Sequence, residues 1–171
     1  GITVDQMRYD YLLRYWNDFG KTGFKRLIND GFLCHNLHYN YMPTYTGPGH
    51  ASLFTGTTPA LHGIIENDWY DRSSNSVIYC SSDSTVKGAG TASKAGQMSP
   101  RYLTASTLGD MLHMRTNNRG KVIGIAMKDR GAILTAGRTA DAAYWFIGAD
   151  EGVWASSGWY MNELPPWVVK F

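Results

Sequence analysis

The run KVIGIAM, residues 121–127, reads as a continuous apolar strand with no polar alternation. Strands of that kind are buried on both faces, which happens when helices cover both sides of a parallel sheet. Two earlier segments fit the same plan. Ile2 and Val4 predict a strand ending at Asp5, and a further strand is expected within 32–40. Between them, Tyr9, Leu12, Leu13 and Trp16 recur at helical spacing up to Gly20, and Phe24, Leu27 and Ile28 form one face of a second helix stopped by Gly31. Strands alternating with helices through residue 127 indicate an α/β layer structure with a largely parallel sheet.

Beyond the breakers Gly56 and Pro59 lies a turn-rich segment, LHGIIENDWYDR, followed by an expected strand at 77–80. Residues 81–99 are small and polar and read as a solvated loop. A helix is expected over 104–114, after Pro100. AAYWFIG and VWASS, joined by ADEG, predict a hairpin, and ELPPWVVKF opens another helix with a proline tolerated in its first turn. No internal repeat is present.

At 171 residues and 43% apolar content the chain suits one globular domain, and its 19 glycines imply tight turns or close backbone approaches. The net charge of only +2, without a basic tract, disfavours a broad nucleic-acid face, although an anion pocket needs only two or three local cations. No apolar run approaches a membrane span, and no charged start followed by an apolar stretch reads as a signal peptide. Cys34 and Cys80 can form one disulfide in an oxidising compartment or remain two buried thiols.

Ligands of open α/β sheets collect beyond the carboxyl ends of the strands. Three segments stand there. Asp5 follows the first expected strand, Thr46 precedes a helix in PTYTGPGH, and Lys128 with Arg130 follow KVIGIAM. Gly47, Pro48 and Gly49 predict a sharp bend, with the helix beginning near His50 and free amides close to Thr46. A carboxylate can hold a divalent metal, a metal can activate a hydroxyl, and cations can neutralise phosphoryl oxygens. Each residue also has a structural role open to it. Thr46 can be a plain helix cap, Asp5 can cap the next helix, and Lys128, Asp129 and Arg130 can be a solvated ion-pairing loop.

VDQMRYDYL, GFKRLINDGF, PTYTGPGHASLFTG, HGIIENDWYD, AGQMSPR and KDRGAIL resemble, in order and spacing, the amino-terminal part of the alkaline phosphatase superfamily. The likeness is to its bacterial single-chain phosphatases with a threonine nucleophile, and more distantly to nucleotide pyrophosphatase/phosphodiesterases. It implies an alkaline-phosphatase-like three-layer α/β sandwich with a mostly parallel sheet, residues 1–171 forming its amino-terminal part. It further implies Asp5 as a zinc ligand, Thr46 as the nucleophile on the same zinc, Asn67 as a donor to a phosphoryl oxygen, and Lys128 with Arg130 as the grip on the remaining charged oxygens. A Lys and Arg there favour monoesters, which carry one more ionisable oxygen than diesters.

The reaction so implied is a zinc-dependent phosphate monoester hydrolysis through a phosphothreonine, acting on small-molecule phosphate esters. A phosphodiesterase or nucleotide pyrophosphatase and a non-catalytic anion-binding module are the alternatives. Two zinc ions need several Asp and His residues of a carboxyl-terminal portion that this chain does not contain, so the chain is expected to be the first part of a longer enzyme and to turn over little alone. The superfamily often has proline and histidine near ILTAGR, where Thr135 and Arg138 stand here. His50 and His62 are expected to be structural hydrogen-bonding groups and Thr44 a turn residue; His35, His38 and His113 receive no role. Export to the periplasm or cell surface also follows from the resemblance, a compartment in which a Cys34–Cys80 disulfide would make sense.

Overall fold

The computed structural model describes residues 1–148 and 151–171. It divides into two units, Gly1–Met42 and Pro43–Phe171, each considered by itself.

In the first unit, helix α1 spans Asp10–Arg14 and α2 spans Phe24–Asp30, and neither buries a residue. The second helix ends at Gly31 as its sequence predicts, but α1 stops well before Gly20. A helix this short has no propagation energy to spare and needs a buried apolar stripe, which α1 lacks. The strands expected at Ile2–Val4 and within 32–40 are not formed. Ile2 is 91% and Phe32 90% exposed, and neither segment joins a ladder among the described residues. An extended segment without a paired neighbour has no stabilising hydrogen bonds, so apolar residues alone do not make it a strand.

The second unit holds the core. Helix α3 (Thr46–Thr55) and the short α4 (Pro59–His62) lead to a hairpin of β1 (Asp68–Asp71) and β2 (Ser76–Tyr79). After β3 (Gly88–Ala89) and α5 (Leu108–Thr116) come β4 (Ile123–Ala126), α6 (Asp129–Ala136), β5 (Ala142–Ile147), β6 (Val153–Ser157) and α7 (Pro166–Val169). The larger sheet has the order β3-β6-β5-β4. Among the described residues only β4 and β5 run parallel, and α6 is the crossover such a pair requires. β5 and β6 form the expected antiparallel pair; Ala149 and Asp150 of the joining ADEG lie outside the described residues.

Alternation along β5 sends residues to two covered faces. Ala143, Trp145 and Ile147 join Ala132, Ile133, Leu134 and Ala51 of α6 and α3, while Ala142 and Tyr144 pack with Val168 of α7. Helix, sheet and helix therefore make three layers about β5, as an α/β fold demands. The expectation of burial on both faces fails for β4, the edge strand. Gly124 faces α6, but Ile123 and Ile125 remain 53% and 62% exposed on the other side.

Residues 81–99 are an ordered part of the unit rather than a solvated linker. The buried Asp83 carboxylate accepts from Ser99 Oγ (2.5 Å), Thr85 Oγ1 (2.6 Å) and Arg101 Nη1 (3.1 Å). These bonds hold its pKa below the usual carboxylate range although burial pushes the other way. The expected helix after Pro100 starts at Leu108, where Thr107 and Asp110 form a capping box.

The contact that positions the later site is the seating of α6 on β4. A Cβ built on Gly124 would lie 2.3 Å from the Ala132 carbonyl oxygen and 2.8 Å from Ala136 Cβ. We expect Gly124→Val to lower unfolding free energy by about 1–3 kcal/mol, the usual cost of overpacking, measured by urea denaturation of the wild type and variant.

Candidate active site

Thr46 is the first residue of α3, with extended Tyr45 before it. Gly47, Pro48 and Gly49 are therefore the first helical turn rather than a bend ahead of it. Proline is tolerated there because its missing N–H would have had no helical partner. His50 donates from Nδ1 to the Thr46 carbonyl oxygen (2.8 Å), which ties the backbone of Thr46 to the next turn.

The amides expected to be free near Thr46 are engaged. Gly47 N–H donates to Asn67 Oδ1 at 2.7 Å, Pro48 has no N–H, and Gly49 N–H donates to the Tyr45 carbonyl at 2.9 Å. The first bond fixes the orientation of the Asn67 amide. Because a backbone N–H must meet the oxygen, the Asn67 nitrogen is left as the donor for another acceptor. Gly47 permits the approach: a Cβ there would sit 3.1 Å from Asn67 Oδ1, 3.2 Å from the Glu66 carbonyl and 3.3 Å from Cys80 Sγ.

Cys80 continues the series. Its N–H donates to the Asn67 carbonyl at 2.8 Å, directly after Tyr79 at the end of β2. The Tyr79 hydroxyl donates to the Asp129 carboxylate and accepts from Arg130 Nη1 at 2.9 Å. Contacts thus run without a break from Gly47 through Asn67 and Cys80 to Tyr79 and Arg130. Lys128 is the N-cap of α6 and is exposed, so its ammonium can reach a ligand in solvent. The solvated-loop reading of Asp129 and Arg130 is set aside, since both side chains enter this hydrogen-bonded cluster.

The electrostatics follow from burial. Burial pushes the Asp129 carboxyl up, more than its Tyr79 and Arg130 partners pull it down. Tyr79 is also pushed up, first by burial and then by the neighbouring Asp129 charge, so it stays a phenol. Burial works against the Arg130 charge, but the Tyr79 hydroxyl and the Asp129 charge outweigh it and raise its pKa. The cation is secure. An alternative nucleophile, Ser52, is disfavoured by its histidine: His62 Nδ1 accepts from Ile64 N–H, so Nε2 carries the proton and donates to Ser52 Oγ at 2.9 Å. A histidine that donates to a serine cannot serve as its base.

Asp5 belongs to the first unit, in a turn where its Oδ1 accepts from Gln6 N–H at 3.1 Å; the residue before α1 is Tyr9, so Asp5 is not that helix's cap. Among the described residues no three His, Cys, Asp or Glu side chains are gathered as a metal would need. Asp5 and Thr46 by themselves fall short of the three or four donors of a zinc site. Thr135 donates within α6 to the Gly131 carbonyl, and Arg138 Nη1 donates to the carbonyls of Pro100, Arg101 and Leu103, so both are structural. Tyr79, Gly47 and Cys80 were not foreseen as site residues. The one available signal for Tyr79 was its place at a strand end.

Cys34 is an exposed thiol of the first unit and Cys80 a buried thiol of the second. Burial pushes Cys80 up to about 12, which keeps it protonated and inert near neutral pH.

A threonine at a helix start, an oriented amide and two cations after a parallel strand are groups of the kind that bind anions at the carboxyl edge of an α/β sheet. The chain belongs to the type I phosphodiesterase / nucleotide pyrophosphatase family, whose profile matches residues 1–169. It is 47% identical over its whole length to the alkaline phosphatase PafA of Elizabethkingia meningoseptica, and 48% identical to both the alkaline phosphatase PhoV of Synechococcus elongatus and a Myroides odoratus protein named a calcium-transporting ATPase. The crystal structure of wild-type alkaline phosphatase PafA superposes with a TM-score of 0.94 at 47% identity, over 97% of this chain and 32% of that one. The chain spans about 31% of the length of these curated relatives.

The two thiols give a direct check. We expect a thiol-specific chromogenic disulfide reagent to titrate one thiol per chain under native conditions and two in denaturant, with or without prior reduction.

Proposed function

We propose that this chain is the nucleophile-bearing part of a phosphate monoester hydrolase acting on small-molecule phosphate esters, with Thr46 as the attacking group. The observation that carries the reading is the contact series joining the start of α3 to Arg130 through Asn67, which gathers a hydroxyl, an amide donor and a cation in one unit. The alkaline phosphatase names among the relatives support it.

Thr46 Oγ attacks phosphorus, the bond to the leaving alkoxide or phenoxide breaks, and a phosphothreonine results that water then hydrolyses. Asn67 donates to one equatorial oxygen through its amide nitrogen. Lys128 and Arg130 take the remaining charge, and an Arg positioned this way meets two oxygens through its planar fork. Stabilisation increases as charge builds on those oxygens, so it acts on the transition state more than on bound substrate.

Zinc belongs to this proposal on the strength of the resemblance, with Asp5 and Thr46 as the ligands this chain supplies. It would lower the hydroxyl pKa and offset negative charge. Two such ions would need further donors, which a polypeptide of the relatives' length would provide. Residence in the periplasm or at the cell surface is part of the same proposal.

The family's own description keeps a phosphodiesterase as the second reading. In the longest natural polypeptide carrying these residues, Thr46→Ala is expected to cut kcat/KM for an aryl phosphate by at least about a thousandfold, as loss of a nucleophile does in other enzymes. The wild type is expected to hydrolyse the aryl phosphate faster than its methyl diester. Undiminished turnover by the alanine variant would falsify the mechanism, and preference for the diester would replace the monoesterase by the second reading.

A further inference from the structure

We propose that Tyr79 is a positioning and specificity-determining residue: it aims the Arg130 guanidinium and, by standing between Arg130 and Asp129, keeps its other N–H groups available for a dianionic phosphoryl group. The inference rests on the function proposed for Arg130 above and extends it to a residue outside the implied catalytic set.

The Tyr79 hydroxyl has one proton, and it goes to the Asp129 carboxylate. The oxygen can then only accept from Arg130, which it does from Nη1 at 2.9 Å. A phenol that donates to a carboxylate becomes a better acceptor, so the two bonds strengthen each other. Arg130 Nε is buried and has no hydrogen-bond partner among the described residues. The rotation of the guanidinium plane therefore depends on the Nη1 contact, supplemented by the Tyr79 ring 5.9 Å from the guanidinium carbon.

The intervening phenol has an electrostatic consequence. Among the described residues, the ion pairs involve Arg8, Arg101, His113 and Lys121, and none joins Arg130 to a carboxylate. A direct Asp129–Arg130 pair would spend the cation on its neighbour. With a hydroxyl between them, the Asp129 charge still acts on Arg130, but no guanidinium N–H is spent on that carboxylate, and the N–H groups other than the one on Tyr79 stay available to a ligand. That arrangement matters most for a substrate carrying two negative charges, because the second charged oxygen is what a diester lacks.

The test is a double-mutant cycle in the longest natural polypeptide carrying these residues, with an aryl phosphate and its methyl diester as substrates. Tyr79→Phe, which keeps the ring, is expected to lower kcat/KM for the monoester about tenfold, the cost of a charged hydrogen bond, and to change the diester by less than about twofold. In an Arg130→Ala background the same change should have under about twofold effect on the monoester. Asp129→Asn, which keeps the shape and an acceptor but removes the charge, should act in the same monoester-selective direction. Equal losses on both substrates, or an undiminished Tyr79→Phe effect without Arg130, would overturn the positioning role. A monoesterase unaffected by Arg130→Ala would instead overturn the underlying reading of Arg130, so the two failures are distinguishable.

Discussion

Close seating of α6 on the parallel pair β4–β5 governs where the chemistry can sit. Gly124, Ala132 and Ala136 keep the helix and strand within backbone distance, and the same helix packs against α3. The link from β4 to α6 consists of Met127 and the cap residue Lys128, so pressing α6 onto the strand fixes where its first turn emerges. Asp129 and Arg130 occupy that turn. Packing of small residues in the core thus becomes precision in two polar side chains at the sheet's carboxyl edge.

Under the proposed function, anion recognition in this unit would depend on side chains more than on helix-end amides. The start of α3 has the dipole that favours negative charge, but the amide of Gly47 is committed to Asn67 and that of Gly49 to the Tyr45 carbonyl. The helix end orients Asn67, and Asn67 presents the donor. Such an indirect arrangement loses little strength and gains direction, because an amide with its oxygen held can turn its nitrogen only one way. The cations follow a related rule, with burial and a phenol constraining Arg130 while Lys128 stays in solvent.

Much of this was legible in the residues. The antiparallel pair of β5 and β6, the helix stopped by Gly31 and the short strand of KVIGIAM all carry local signals strong enough to read. Misreadings came where local pattern and tertiary context part. Ile2 and Val4 have strand composition but no neighbouring strand, and KVIGIAM is apolar throughout although one face of β4 is open. Gly-Pro-Gly reads as a bend, yet proline and glycine suit a helical first turn equally well. For the candidate site, Thr46, Asn67, Lys128 and Arg130 could be named from motif blocks, whereas Tyr79 could not. Its role depends on a contact 51 positions away in the chain, and no local spacing encodes that.

The open side of β4 has a practical consequence. Ile125 stands beside Tyr144, Trp154, Trp167 and Phe171 around an apolar hollow, with Ile123 exposed on the same strand, whose outer backbone groups lack a neighbouring strand among the described residues. A protein presenting such a seam to water is governed in solution by concentration and by temperature together, since oily contact strengthens on mild warming. Its 171 residues studied alone would be best handled dilute and cold, where colloidal attraction between copies is weakest.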